Sequence, residues 1–291
     1  MTTAPADPCP APLVTRKGTI GLSGRTRIMG VLNLTPDSFS DGDRFATLEQ
    51  AVDCALRMED VGADFIDIGG FSSRPGAADV SEDEELRRVL PVISALAARL
   101  SCPISVDTFR ARVFAECFES GAAMLNDISA FRGDEAMLET LAKTQAPACL
   151  MHMQGDPQSM QERPHYEDVV AEVTAFFQER LASAAAAGVS ADRLLLDPGI
   201  GFGKTLEHNL LLLRAVPDFA ALGCGLLYGT SRKSFLGKIL GRPDPREREW
   251  ATAATTAYLF AAGVHVLRVH DVAANIDVLN VVKMIHGKDL G

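Results

Sequence analysis

The feature that most limits how this chain can fold is a unit that recurs eight times: a short apolar run, an abrupt change to polar or turn-forming residues, then a helical pattern. Residues 28–33 form the first such run, and the polar Thr-Pro-Asp-Ser-Phe-Ser-Asp-Gly stretch at 35–42 follows it. An apolar run bounded by turn residues suits a strand buried on both faces, which belongs in a parallel sheet covered by helices. The carboxamide of Asn33 is thereby fixed at a strand's C-terminal end. Later runs lie at 64–70, 104–107, 123–127, 148–152, 194–197, 225–228 and 264–269. Capping-box spacing at Thr47–Gln50 and Ser81–Glu84 opens helices toward residues 62 and 100, and Asp244-Pro245 opens one toward 262. Further helices are expected over 111–119, 134–143, 166–187, 205–215 and 272–286. Eight strand–helix repeats favour a closed (β/α)8 barrel over an open doubly wound sheet.

With 291 residues and 47% apolar content, the chain has material for one large core, and barrels of about 250 residues form one domain. Residues 1–17, rich in Pro and Ala, read as a loose N-terminal segment; 18–291 read as a single-domain barrel preceded by a small hairpin over 18–27. No apolar run reaches the length of a membrane span and no leader pattern is present, so a soluble, cytoplasmic protein is expected. The formal charge of −10 argues against nucleic-acid and membrane-surface partners. Six scattered cysteines without CxxC spacing predict neither disulfides nor structural zinc.

Active sites of such barrels stand where strands end and the following loops begin. Those positions are Asn33, Asp67, Asp107, Asn126, His152, Asp197, the Ser231-Arg-Lys-Ser234 loop, and Arg268 with His270. Two chemistries share this rim. Asp107, Asn126, Asp197 and Lys233 offer acceptors and donors for the edge of a planar heterocycle. Ser73, Arg74, Arg268 and His270 offer hydroxyl and cationic donors for phosphate oxygens. Together they suggest group transfer from a phosphorylated heterocycle. The run Pro198-Gly-Ile-Gly-Phe-Gly-Lys-Thr205 nearly matches a P-loop, but proline replaces the first glycine and no second nucleotide motif accompanies it. His265, at a strand start, reads as structural, and the single Trp250 as core.

Ordered motifs along nearly the whole globular part carry a resemblance. They are Leu32-Asn-Leu-Thr-Pro-Asp-Ser-Phe-Ser-Asp-Gly42, Ile66-Asp-Ile-Gly-Gly70 with Arg74-Pro-Gly76, Ser105-Val-Asp-Thr108, Asn126-Asp-Ile128, Leu150-Met-His-Met153, Asp197-Pro-Gly-Ile-Gly-Phe-Gly203, Ser231-Arg-Lys-Ser234 and Arg268-Val-His270. In these the chain resembles the dihydropteroate synthases of folate biosynthesis, the targets of sulfonamides. The resemblance implies condensation of p-aminobenzoate with 6-hydroxymethyl-7,8-dihydropterin pyrophosphate, Mg2+ as cofactor, and a homodimer. It assigns Asp107, Asn126, Asp197 and Lys233 to the pterin, and Ser73, Arg268 and His270 to the pyrophosphate. Asn33 falls to the magnesium-bound pyrophosphate, and Arg74, Pro75, Phe202, Lys233 and Ser234 to p-aminobenzoate. Arg268, His270, Lys233 and Asn33 are thus the candidate catalytic set.

The chain departs from that pattern in three places: Phe71 stands where the family has Glu, Ser73 where Thr is common, and Asp43 where Gly is frequent. A pterin-binding methyltransferase barrel and an inactive pterin-binding paralogue are the alternatives. The 35–39 and 231–234 segments speak against the methyltransferase, while Phe71 is what raises the inactive paralogue.

Overall fold

The computed structural model describes residues 10–34, 48–72 and 80–287. A two-stranded hairpin of β1 (Leu13–Thr15) and β2 (Gly18–Ile20) comes first. The hairpin therefore begins earlier than the expected residue 18, because Leu13 is needed as core: it is fully buried and packs with Leu22 inside the barrel. Lys17 ties the turn to the body through Nζ, which donates to the Leu100 carbonyl at 2.8 Å.

The barrel strands are β3 (Arg27–Asn33), β4 (Phe65–Gly69), β5 (Ile104–Asp107), β6 (Met124–Asp127), β7 (Ala148–Met151), β8 (Leu194–Asp197), β9 (Gly225–Tyr228) and β10 (Val266–Val269). They run parallel in sequence order, and β10 closes on β3. Ten helices alternate with them among the described residues: α1 (Leu48–Asp60), α2 (Glu82–Leu96), α3 (Ala111–Glu119), α4 (Met137–Thr144), α5 (Val169–Ala186), α6 (Leu206–Arg214), α7 (Val216–Ala220), α8 (Ser234–Leu240), α9 (Glu249–Ala261) and α10 (Val272–Ile285). No described helix is long and apolar enough to cross a membrane.

Local chemistry sets several boundaries. Ser81 caps α2 as its spacing predicts, accepting from the Glu84 N–H at 3.3 Å. Thr47 lies outside the described residues. Asp168 and Asp271 cap α5 and α10, while Thr205 and His208 cap α6 reciprocally. Asp244 caps only a short 3-10 turn over 245–248, after which α9 begins. The sequence reading missed α7 and α8. In α8 the interior Gly237 weakens the helical signal, yet Gly241 at φ 67° followed by Pro243 is a helix-end signature.

Alternation along each strand separates two cores. Ile66, Ile68, Ile104, Val106, Leu125, Leu267 and Val269 face the helices. Met29, Phe65, Met124, Cys149, Leu195, Leu227 and Val266 face inward and, with Leu13 and Leu22, fill the barrel's lower layer. Two residues further along, the inward positions turn polar: Asp67, Asn126, Asp197 and Arg268. This change of character, from apolar plug to polar layer, places a site at the strands' C-terminal ends. Trp250, expected in the core, stands 84% exposed on α9, whose buried face instead carries Thr252, Thr256, Leu259 and Phe260. Those threonines bond to the Arg232 N–H and to Asn275, so the inward face of α9 is partly polar.

Candidate functional site

Strand register assembles the first part of the site. Asn33 lies beside Gly69, Gly69 beside Asp107, and Asp107 beside Asn126. Gly69 leaves room at the centre: a Cβ there would come within 3.3 Å of the Asp107 Cβ and 3.6 Å of Asn33 Oδ1.

Arg268 crosses the mouth to this group. Its Nε donates to Asp67 Oδ2 at 2.6 Å and its Nη2 to Asp107 Oδ2 at 2.7 Å. Asn126 Nδ2 donates to the same Asp67 oxygen at 3.0 Å. The other oxygens, Asp67 Oδ1 and Asp107 Oδ1, are buried with no hydrogen-bond partner. Burial raises the Asp107 carboxyl to about 7 against the pull of Arg268. Burial opposes the Arg268 charge too, but Asp67 and Asp107 outweigh it and hold its pKa above the ordinary value. The cross-rim ion pair is therefore real, and Asp67 proves the hub of the cluster.

On the opposite wall, Asp197 is buried, and burial raises it to about 6 although Lys233 and Arg268 counteract. Its Oδ1 accepts from the Gly199 N–H at 2.8 Å, which opens the loop between β8 and α6. That loop is pressed onto β7: at Gly199, with φ 67°, a Cβ would sit 1.9 Å from the His152 carbonyl. Only glycine accommodates both the left-handed backbone and that contact. The loop carries Phe202, and the Lys233 ammonium lies 4.0 Å from its ring centroid.

Lys204, which the sequence reading left inside a rejected P-loop match, is instead the loop's buried clamp. It is 2% exposed, donates to the Phe202 carbonyl at 2.8 Å, and meets His152 Nδ1 at 3.0 Å. Burial lowers Lys204 to about 7 and His152 to about 2. A neutral His152 is the acceptor this clamp requires. His152 thus belongs beneath the site, against Phe176 and Tyr166.

His270 is reached from β9's side: Ser231 Oγ and His270 Nδ1 are 2.9 Å apart, and the His270 N–H donates to the same oxygen at 3.2 Å. Ser234 is exposed at the first turn of α8. His265 is structural as expected, its Nδ1 accepting from the Leu226 N–H at 3.0 Å. Asp127, which faces the helices, staples the loop after β6 by accepting from the Ser129 and Phe131 N–H groups. Phe71 is half-buried, edge-to-face with Phe109 at 5.2 Å, and packs on a cluster of Ile128, Met151, Met153, Met160 and Phe202. Ser73, Arg74 and Pro75 lie outside the described residues, as does Asp43.

The arrangement at the barrel mouth has buried acceptors on two walls, a guanidinium across it and an ammonium over an aromatic ring. Such a mouth can read the polar edge of a ring and hold an anion beside it.

The profile of the pterin binding enzyme family matches residues 29–270. The dihydropteroate synthase of Synechocystis sp. is 46% identical over 276 residues, covering 95% of this chain and 96% of that protein. The Yersinia pestis dihydropteroate synthase, solved with a sulfonamide drug complex, superposes with a TM-score of 0.90 at 44% identity, over 95% of this chain and 99% of that one. The Xanthomonas albilineans enzyme, solved with 4-aminobenzoic acid, gives 0.89 at 44% identity, over 95% and 98%. A family match across the barrel and relatives this similar over nearly full length agree with the polar mouth described above: the chain belongs to the pterin-binding enzyme family, among the dihydropteroate synthases of folate synthesis.

Proposed function

We propose that the mouth joins p-aminobenzoate to 6-hydroxymethyl-7,8-dihydropterin pyrophosphate, giving 7,8-dihydropteroate and pyrophosphate, with the following division of labour. Asp107, Asn126, Asp197 and Lys233 hold the pterin ring. Arg268 and His270, with Ser73, receive the pyrophosphate. Phe202, Lys233 and Ser234, with Arg74 and Pro75, surround p-aminobenzoate. The observation that carries this reading is the pair of polar walls: Asp107 keeps a buried oxygen without a partner on one, while Asp197 is buried on the other under the influence of the Lys233 charge. Unpaired buried acceptors are costly unless a ligand supplies donors, as the edge of a pterin does.

Among the described residues no cluster of three or more His, Cys, Asp or Glu could hold a metal alone. Magnesium does not need one, since it is commonly bound through one or two protein oxygens together with substrate phosphates. Asn33 fits that pattern, with Oδ1 over the space that Gly69 leaves open. Bound there with the pyrophosphate, Mg2+ would supply charge neutralisation to the leaving group.

Pyrophosphate is a good leaving group, so the chain's main task is to stabilise charge on the departing oxygens. Arg268 is suited to this because Nη1 takes no part in either carboxylate bond. Ser231 fixes His270 beside it. Loss of the C–O bond leaves a methylene cation conjugated with the pterin; the arylamine, held over Phe202, captures it while water is kept out and gives up one N–H proton, which the departing pyrophosphate can take. Sulfonamides compete for the arylamine position by the same reading.

The partner is proposed to be a second copy. Ile239, Leu240, Trp250, Tyr258, Met284 and Ile285 are exposed apolar side chains on α8, α9 and α10, and sedimentation velocity reads whether they are covered by dimerisation. Function is tested by following pyrophosphate on mixing the two substrates. Release that requires both, and that a chelator stops, is expected. Release from the pterin substrate alone, or none with both present, overturns the reading.

A further inference from the structure

Asp67 has no place in the division of labour above, yet it is fully buried at the centre of the mouth. One of its oxygens, Oδ2, accepts from both Arg268 Nε and Asn126 Nδ2. We infer that Asp67 is the positioning residue that decides which atom of Asn126 meets the substrate.

An asparagine side chain ends in one acceptor and one NH2 donor that point in different directions. Which of the two faces a ligand is settled by what holds the other. Arg268 Nε–H can only donate, so Oδ2 of Asp67 serves as acceptor. Asn126 must then turn its NH2 toward Asp67, and its Oδ1 is the atom left for the mouth. The ligand group read at this position is therefore a ring N–H or amino donor. A ring presenting an acceptor there would meet oxygen against oxygen. The same carboxylate oxygen fixes the guanidinium at Nε, so one residue sets the direction of a neutral reader and of a cation together. The inference rests on the proposed placement of the pterin ring in this mouth.

Two substitutions separate acceptor geometry from charge. Asp67→Asn keeps a carbonyl oxygen available to both donors, loses the charge and puts an NH2 where the unpartnered Oδ1 stood. Asp67→Val removes the acceptor and leaves the Asn126 amide unfixed. Asp67→Asn is expected to bind the pterin pyrophosphate within roughly threefold of the natural chain, and Asp67→Val about 10- to 100-fold more weakly, the loss expected for an unpaired buried group. The KM for p-aminobenzoate stays within roughly threefold in both, whereas a purely structural defect lowers the active fraction and leaves both KM values alone.

Asp67→Val with native melting and unchanged pterin affinity overturns the proposal. So does Asp67→Asn as impaired as Asp67→Val. If Asp67→Val does not fold, hydrogen exchange of the Asn126 carboxamide decides, followed by NMR in the substrate-free natural chain. Slow exchange of the proton given to Asp67 is expected, and exchange as fast as in an exposed asparagine overturns the assignment. A natural chain that binds no pterin substrate is a failure of the proposed function, and the exchange measurement still settles the orientation.

Discussion

Replacing Lys204 by methionine isolates the cost of burying one ammonium group beneath the site. In the folded chain, burial depresses Lys204 from its ordinary 10.5 to about 7, with Asp197 pulling the other way. Between those two values the unfolded chain holds a proton that the folded chain lacks. Stability contributed by a depressed lysine is fully present above its unfolded pKa and is lost as pH falls through its folded one. The slope is about 1.4 kcal/mol per pH unit for one proton. Methionine has similar length and no proton. The stability of the natural chain minus that of Lys204→Met should therefore grow as pH rises from about 7 toward 10, by up to roughly 4 kcal/mol. Buried thiols and phenols titrate identically in both proteins and cancel in the difference.

The sign near neutrality follows from two opposed effects. Methionine leaves the Phe202 carbonyl and His152 Nδ1 without their donor, at roughly 1–3 kcal/mol each. It also removes the desolvated charge, which offsets much of that loss. Urea unfolding at roughly pH 7, 8 and 9, with m values compared, measures the difference directly. A difference that stays flat across that range refutes the argument. It would mean that three acceptors, Phe202 O, His152 Nδ1 and His152 O, keep Lys204 protonated throughout.

Arg268→Ala should cost both stability and chemistry: it strands the Asp67 and Asp107 carboxylates, at roughly 3–5 kcal/mol for a buried pair broken from one side, and removes a leaving-group donor worth about 100-fold in turnover. Early melting with full activity per folded molecule would leave Arg268 only a strut. Phe71→Glu places a charge in the apolar cluster that also contains Phe202, next to the proposed arylamine position. The ratio of sulfonamide inhibition constant to p-aminobenzoate KM is expected to fall, because Phe71 adds bulk where the inhibitor extends beyond the shared ring. An unchanged ratio with both enzymes active makes Phe71 a packing residue of Phe109 and the apolar cluster only.

The barrel was legible because its strands announce themselves as apolar runs, and several announce themselves again by a polar residue at or near the end. Asn33, Asp107, Asn126, Asp197 and Arg268 all stand in the mouth that this rhythm predicts. What the rhythm does not carry is pairing at a distance. The partners of Asp67 lie 59 and 201 residues away, and nothing local distinguishes it from other strand-end aspartates. Lys204 was hidden differently: a glycine-rich run suggests phosphate binding, whereas the glycines here let the backbone lie against β7 and turn the lysine inward. Trp250 misled because its size suggests the core, while the inward face of α9 is filled by threonines that satisfy buried polar partners.

The outward placement of Trp250 has an optical consequence. It is the chain's single tryptophan, and its indole already meets solvent in the folded monomer. Its emission is a poor gauge of whether the barrel is intact, since unfolding changes its surroundings little. Far-ultraviolet circular dichroism is the signal that follows the fold. The same placement makes the indole a natural antenna for whatever settles on α9, so a blue shift that fades on dilution would report two copies meeting there.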